Sequence, residues 1–202
     1  VWDGLAWVDY DASNLPTFDG NGKIFVRVDI RAEQDTPYEG SETFKLSATL
    51  TGGATVTGIA TIKDDGTGTV FSGNITGGAP ATTNPTLDDD RPTLTYSATG
   101  FVEAASNDGT SATTITIVLS NDTFTGANGA TLGNVTNVPA GMNAVLIRSS
   151  ATTATLTLTG SAAAHANLND INNLTVTFAN SDFSSNNAGS VINATKSNLI
   201  VD

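Results

Sequence analysis

Larger apolar residues alternate with small or polar residues at a period of two in many short segments of this chain, which is the pattern of half-buried β-strands. In the first half of the chain, residues 43–48 and 58–63 show this pattern, and residues 24–30 form a third such run after a Gly-Asn-Gly turn. The alternation predicts which side chains of the first two segments face a core: Phe44, Leu46, Ile59 or Ala60, and Ile62.

The second half of the chain contains more segments of the same kind, separated by turn residues. The predicted strands are residues 93–98, 101–104, 113–119, 144–148, 154–159, 173–178 and 197–201, with Ile115, Ile117 and Leu119 pointing inward. The Ala-rich stretch 161–173 is predicted to form a short helical crossover of one or two turns. About seven short strands is the number found in an immunoglobulin-like sandwich, so the sequence predicts an all-β fold of tandem immunoglobulin-like β-sandwiches.

The chain has 202 residues, which is enough for two ordinary domains. A Gly-, Thr- and Pro-rich connector covers residues 67–86, with a short strand expected at 69–71, and it ends in an acidic run. The predicted domains are therefore 1–90 and 91–202. Residues 1–90 carry 14 acidic and 5 basic side chains, a net charge of −9, whereas residues 91–202 carry 6 and 3, a net charge of −3.

Composition argues against several classes of function. A net charge of −12 with only eight Lys and Arg argues against nucleic acid and against insertion into or binding to anionic membranes. The chain has no Cys, which excludes disulfides and thiol nucleophiles. The single histidine, His165, has no nucleophile signature near it and is interpreted as an incidental surface residue. We therefore expect a protein that is not an enzyme.

Acidic residues at the ends of the first two strands are the candidate site. Glu39 and Glu42 precede the first strand and Asp64 and Asp65 follow the second, so antiparallel pairing would bring all four carboxylates to one end. Their mutual repulsion would be relieved by a hard cation that takes six to eight oxygen ligands, and Ca²⁺ is the candidate. The alternative is that both groups are ordinary solvated turns, because Asp, Gly and Ser favour turns for backbone reasons alone.

The sequence EGSETFKL at 39–46, followed by ATIKDDGTG at 60–68, resembles the closing half of a Calx-beta domain. The variant is the one found in repeats of large bacterial RTX-type surface proteins and adhesins. The resemblance implies an immunoglobulin-like sandwich that binds calcium through these acidic positions and through acids at the domain junction, here Asp88, Asp89 and Asp90. The alternative for the junction is a solvated acidic linker.

The leading functional prediction is a calcium-stiffened, non-catalytic spacer of a secreted bacterial cell-surface adhesin, whose partners are neighbouring repeats of the same protein. One alternative is a module that binds sugar or peptide, in which Trp2 and Trp7 contact the ligand. Another is a filament subunit assembled by strand exchange. Few strands are predicted before residue 24, so the first sandwich is expected to be truncated at its N-terminus, with an open sheet edge available to another copy.

Overall fold

The computed structural model describes residues 1, 8–15, 18, 20–26, 38–68 and 89–202. The chain divides into two compact units, Val1–Asp90 and Arg91–Asp202. The regular structure of the described residues is β-strand, apart from short 3-10 turns at Asn167–Asn169, Asn180–Asp182 and Ala188–Ser190. The prediction of an all-β fold is confirmed.

In the first unit, strands β1 (Glu42–Thr49) and β2 (Thr55–Ile62) form an antiparallel pair. Glu42 lies opposite Ile62, and the pairing continues without a shift to the turn. The turn closes where the N–H of Gly53 donates to the carbonyl of Leu50 at 2.9 Å. Both strands and their antiparallel pairing were predicted correctly.

The burial predicted for these two strands is only partly correct. Phe44 and Ile62 are half-buried, and Phe44 lies opposite Ala60, so Ala60 rather than Ile59 shares its face. Leu46 and Ile59 are 46% and 76% exposed and Ala60 is also exposed, so the prediction that Leu46 and either Ile59 or Ala60 face a core is wrong. Alternation determines which side chains share a face, but burial also requires a second layer over that face, which local sequence does not specify.

Several other predictions concern the first unit. Gly22 has φ +73°, as the predicted Gly-Asn-Gly turn requires. Residues 24–26 are not in a strand, which is a correction for the first part of the predicted strand 24–30. Several predictions fall outside the described residues: the rest of the strand at 27–30, the strand at 69–71, and the ligand contacts of Trp2 and Trp7.

The second unit contains two four-stranded sheets. One has the order β3-β5-β8-β7 and the other the order β4-β10-β9-β6. Their strands are β3 (Thr93–Tyr96), β4 (Gly100–Phe101), β5 (Thr114–Ser120), β6 (Asn134–Thr136), β7 (Met142–Arg148), β8 (Thr153–Gly160), β9 (Ile171–Thr177) and β10 (Thr195–Val201). Seven of these were predicted, although β4 is shorter than residues 101–104. Strand β6 was missed because three residues are too few to show alternation.

Side chains from both sheets form one hydrophobic core, which makes the unit sandwich-like. Ile115 and Ile117 on β5 are fully buried and Leu119 is 2% exposed, as predicted. Leu156 on β8 and Leu174 on β9, from opposite sheets, are also fully buried in the same cluster. Each such side chain contributes about 1.5–3 kcal/mol through removal of its apolar surface from water.

Neighbouring segments cover part of both edges, β3 and β7, of the β3-β5-β8-β7 sheet. Beside β3, the N–H of Leu94 donates to the carbonyl of Ile192 at 3.0 Å, and β4 pairs in parallel with β10. Beside β7, the N–H of Arg148 donates to the carbonyl of Ala130 at 2.9 Å, and a further bond joins Leu132 to Leu146. Covered edges present fewer backbone groups to which another chain could add a strand.

Residues 161–170, which we call the strap, connect β8 to β9. The predicted helical crossover is reduced to the single 3-10 turn Asn167–Asn169, and the strand begins at Ile171, inside the range predicted to be helical. Helix nucleation is unfavourable, and isolated helices shorter than about 12–15 residues are marginal. A three-residue turn is therefore what this short Ala- and Asn-containing segment forms.

Candidate acidic site after strand β2

The segment that follows β2 pairs with the acidic run at the end of the first unit. The backbone N–H of Asp90 donates to the carbonyl of Asp64 at 2.9 Å. Asp65 and Asp89 form an isolated antiparallel bridge. Two acidic groups that are far apart in the sequence therefore lie side by side.

Asp64 is the most unusual residue of this site because its carboxylate is buried. The side chain is 8% exposed, and its Oδ2 accepts a hydrogen bond of 3.1 Å from the backbone N–H of Glu39. Its other oxygen, Oδ1, is buried and has no hydrogen-bond partner. A buried carboxylate oxygen without a partner is costly, so this atom calls for a ligand such as a cation or a water molecule.

Asp65 takes part in a local turn. Its Oδ1 accepts hydrogen bonds from the N–H of Thr67, at 2.9 Å, and from the Thr67 hydroxyl. The Thr67 hydroxyl also accepts from Lys63 Nζ at 3.1 Å. Asp65 Oδ1 therefore makes the hydrogen bonds of an ordinary Asp turn, which was the alternative to a metal ligand.

The same Asp-x-Ser/Thr turn occurs twice more in the described residues. Asp11 Oδ1 accepts from the hydroxyl and the N–H of Ser13, and Asp108 Oδ1 accepts from those of Thr110. In each case the side-chain hydrogen bond is the largest cause of a lowered carboxyl pKa. The spacing of Asp and Ser or Thr was the sequence signal that could have identified these turns.

Gly66 allows the Asp89 side chain to lie against the turn. Gly66 has φ +70°, and a Cβ atom at this position would lie 2.9 Å from Asp89 Oδ2. Any larger residue would be strained and would also push the Asp89 carboxylate away. Gly66, the glycine of the Asp-Asp-Gly sequence, therefore allows the two acidic segments to lie this close together.

The structure thus links five of the seven residues predicted as calcium ligands: Glu39, Asp64, Asp65, Asp89 and Asp90. The link from Glu39 is through its backbone N–H. Glu42 begins β1 opposite Ile62, two positions before Asp64. Asp88 lies outside the described residues.

Within the described ranges, no three His, Asp or Glu side chains are arranged as a ready metal centre. This finding and the unpartnered Asp64 oxygen point in different directions. Calcium also takes backbone carbonyl and water oxygens, so side chains need not supply all the ligands of a calcium site.

A second group of titratable residues lies at one end of the second unit. His165 Nδ1 lies 3.0 Å from Glu103 Oε1, in a small cleft that is also lined by Asp170 and Asp202. The interpretation of His165 as an incidental surface residue is therefore incomplete. Sequence could not show this contact, because the two residues are far apart in the chain.

No helix in the described part of the chain is long and apolar enough to cross a membrane. No family model, no curated protein and no solved structure matches this chain.

Proposed function

We propose that this chain is a non-catalytic, calcium-stiffened spacer from a secreted bacterial cell-surface adhesin. The observation that carries the proposal is the buried Asp64 carboxylate, whose Oδ1 has no partner. The resemblance of residues 39–46 and 60–68 to Calx-beta repeats supplies the biological setting. Its partners in this proposal are neighbouring repeats of the same protein.

Calcium suits the Asp64 site chemically. The atoms available near the end of β2 are carboxylate and carbonyl oxygens, which hard cations prefer, and the chain offers no Cys for a softer metal. The first unit also carries the larger share of the negative charge, −9 of −12. A bound divalent cation would give Asp64 Oδ1 its missing partner and would reduce repulsion among the neighbouring acidic residues.

A cation at this position would act as a staple in a chain without disulfides. It would reinforce the pairing of Asp64 and Asp65 with Asp89 and Asp90, and so hold both ends of the long connecting segment between residues 65 and 89. A metal clip that joins two positions far apart in the sequence restricts the conformations of the unfolded chain, which is how such a clip stabilises a fold. The end of the first unit would then be stiffened where the chain continues into the second.

The architecture of the second unit supports a structural role. If its strands are lettered in chain order with β3 and β4 together as A, the sheets read A-B-E-D and A-G-F-C, the immunoglobulin order. We therefore propose that this unit is an immunoglobulin-like sandwich. The cover beside β3 and β7 leaves fewer backbone groups at which another chain could add a strand to this unit.

Calorimetric titration of the full chain with Ca²⁺, together with thermal melting in excess Ca²⁺ and in excess chelator, tests the proposal. We expect binding, a higher melting temperature with Ca²⁺, and slower hydrogen exchange of the Asp90 amide, whose partner is the Asp64 carbonyl. Asp64→Asn should weaken binding by about 10-fold or more, as lost metal-site partners commonly do.

Asp108→Asn is the matched control, because Asp108 lies in an exposed Asp-x-Thr turn of the second unit and should leave calcium binding unchanged. No binding heat and equal melting temperatures in Ca²⁺ and chelator would refute the calcium proposal. Equal calcium affinity in Asp64→Asn and the parent would show that the ion binds elsewhere.

A further inference from the structure

The strap closes one end of the second unit and is attached there by its backbone. The N–H of Ala162 donates to the carbonyl of Gly109 at 2.8 Å, and the N–H of Ala163 donates to the carbonyl of Ala140 at 2.7 Å. All strap side chains except Ala162 are exposed. The strap therefore buries little apolar surface. Its stability against local opening depends on its few hydrogen bonds and charged contacts.

A single carboxylate oxygen connects the strap to the turn beneath it. Glu103 Oε1 accepts a hydrogen bond of 2.7 Å from the N–H of Gly109 and also lies 3.0 Å from His165 Nδ1. Glu103 and His165 are 19% and 39% exposed, so water screens the pair only in part. Glu103, which follows β4, therefore contacts both the strap, at His165, and the turn, at Gly109.

The charged groups around His165 are all acidic. Glu103, Asp170 and Asp202 line the same cleft, and Asp108 lies in the adjacent turn. The segments that surround the cleft, residues 103–111, 138–142, 161–170 and 201–202, contain no Lys or Arg. A proton on the imidazole would therefore be attracted by every charged group that faces it, Glu103 most strongly.

We propose that the strap is a proton-sensitive latch, which His165 holds more tightly when its imidazole is charged. When the imidazole carries a second proton, its contact with Glu103 changes from a hydrogen bond between neutral imidazole and carboxylate to an ion pair, which adds direct charge attraction. As pH rises, that charge is lost. A neutral imidazole can still donate its Nδ1–H, so the latch loosens gradually and does not open completely.

Hydrogen exchange of the full chain in excess chelator measures the latch directly, because the Ala162 and Ala163 amides are its own hydrogen-bond donors. Protection factors, corrected for the intrinsic exchange rate, are compared at about pH 5.5 and about pH 8, on either side of the range in which histidine ordinarily changes charge. We expect protection about 1.5- to 5-fold higher at the lower pH, the range for a partly exposed ion pair.

His165→Gln keeps a hydrogen-bond donor without a titratable charge, and Glu103→Gln keeps an acceptor for Gly109. His165→Gln should remove the pH dependence of the two amides, and Glu103→Gln should reduce it, because Asp170 and Asp202 still line the cleft beside the imidazole. The Leu132 amide, bonded to Leu146 away from the strap, should keep the same protection in all variants. Equal protection of the Ala162 and Ala163 amides at the two pH values in the parent would overturn the latch. So would a pH dependence that His165→Gln leaves unchanged.

Discussion

The buried carboxylate of Asp182 accepts a hydrogen bond of 2.9 Å from the backbone N–H of Gly133. The same oxygen accepts a second bond, of 2.7 Å, from the N–H of Ala179. Asp182 thereby joins the 3-10 turn that follows β9 to the segment that leads into β6. Its side chain is 8% exposed, so water cannot easily replace it if it is removed.

We expect Asp182→Ala to destabilise the second unit by about 3 kcal/mol, because two partly buried hydrogen bonds lose their charged acceptor. The free energy of unfolding can be measured from the slowest-exchanging amides of β5. Asp122→Ala is the control, since Asp122 is only half-buried and accepts mainly from the Ser185 hydroxyl and the Thr123 amide. A loss from Asp182→Ala no larger than that from Asp122→Ala would contradict this role.

Gly133 itself provides a second prediction. It has φ +48°, and a Cβ atom there would lie 2.6 Å from the carbonyl oxygen of Thr177. Gly133→Ala should therefore destabilise the unit by clearly more than the roughly 1 kcal/mol of backbone strain alone. Gly129→Ala supplies the comparison, because Gly129 has φ +88° but open space around it. Equal denaturation midpoints for the two variants would show that the contact with Thr177 is unimportant.

Three aromatic rings, Phe124, Phe178 and Phe183, pack together with centroids 5.6–5.8 Å apart. Phe183 is 1% exposed and forms a bridge with Phe124. We expect Phe183→Ala to cost about 3–5 kcal/mol, because it leaves a cavity in this cluster. Leu168→Ala, at a residue that is 87% exposed, should change stability by less than about 0.5 kcal/mol in chemical denaturation. Similar losses in both variants would contradict the assignment of Phe183 to the core.

Burial raises the pKa of the Tyr96 phenol above its ordinary value. The folded state therefore favours the neutral phenol, and this contribution to stability is complete below the unfolded pKa of about 10. It is lost as the pH rises above that value. The difference between the alkaline absorbance titrations of the parent and Tyr96→Phe isolates this phenol. A difference curve centred at about pH 10 would show that burial has no such effect.

Sequence predicted most strands of this protein because alternation reports directly on which side chains share a face. It predicted burial well for Ile115 and Ile117, which lie between two sheets, and poorly for Leu46 and Ile59, whose exposure depends on what covers their strands. It also placed the acidic residues at one end of β1 and β2. It could not show that Asp64 would be buried, since that depends on pairing with Asp90, 26 positions away in the sequence.

The parallel pairing of β4 with β10 determines how the second unit responds to pulling. The bonds from Ile200 to Thr99 and from Asp202 to Phe101, both 3.0 Å, join the first part of the unit to its last strand. Tension applied through residues 91 and 202 slides these two parallel strands past each other. The bonds between them are then loaded together in shear and cannot open one at a time like a zipper. We therefore expect the unit to resist stretching between residues 91 and 202.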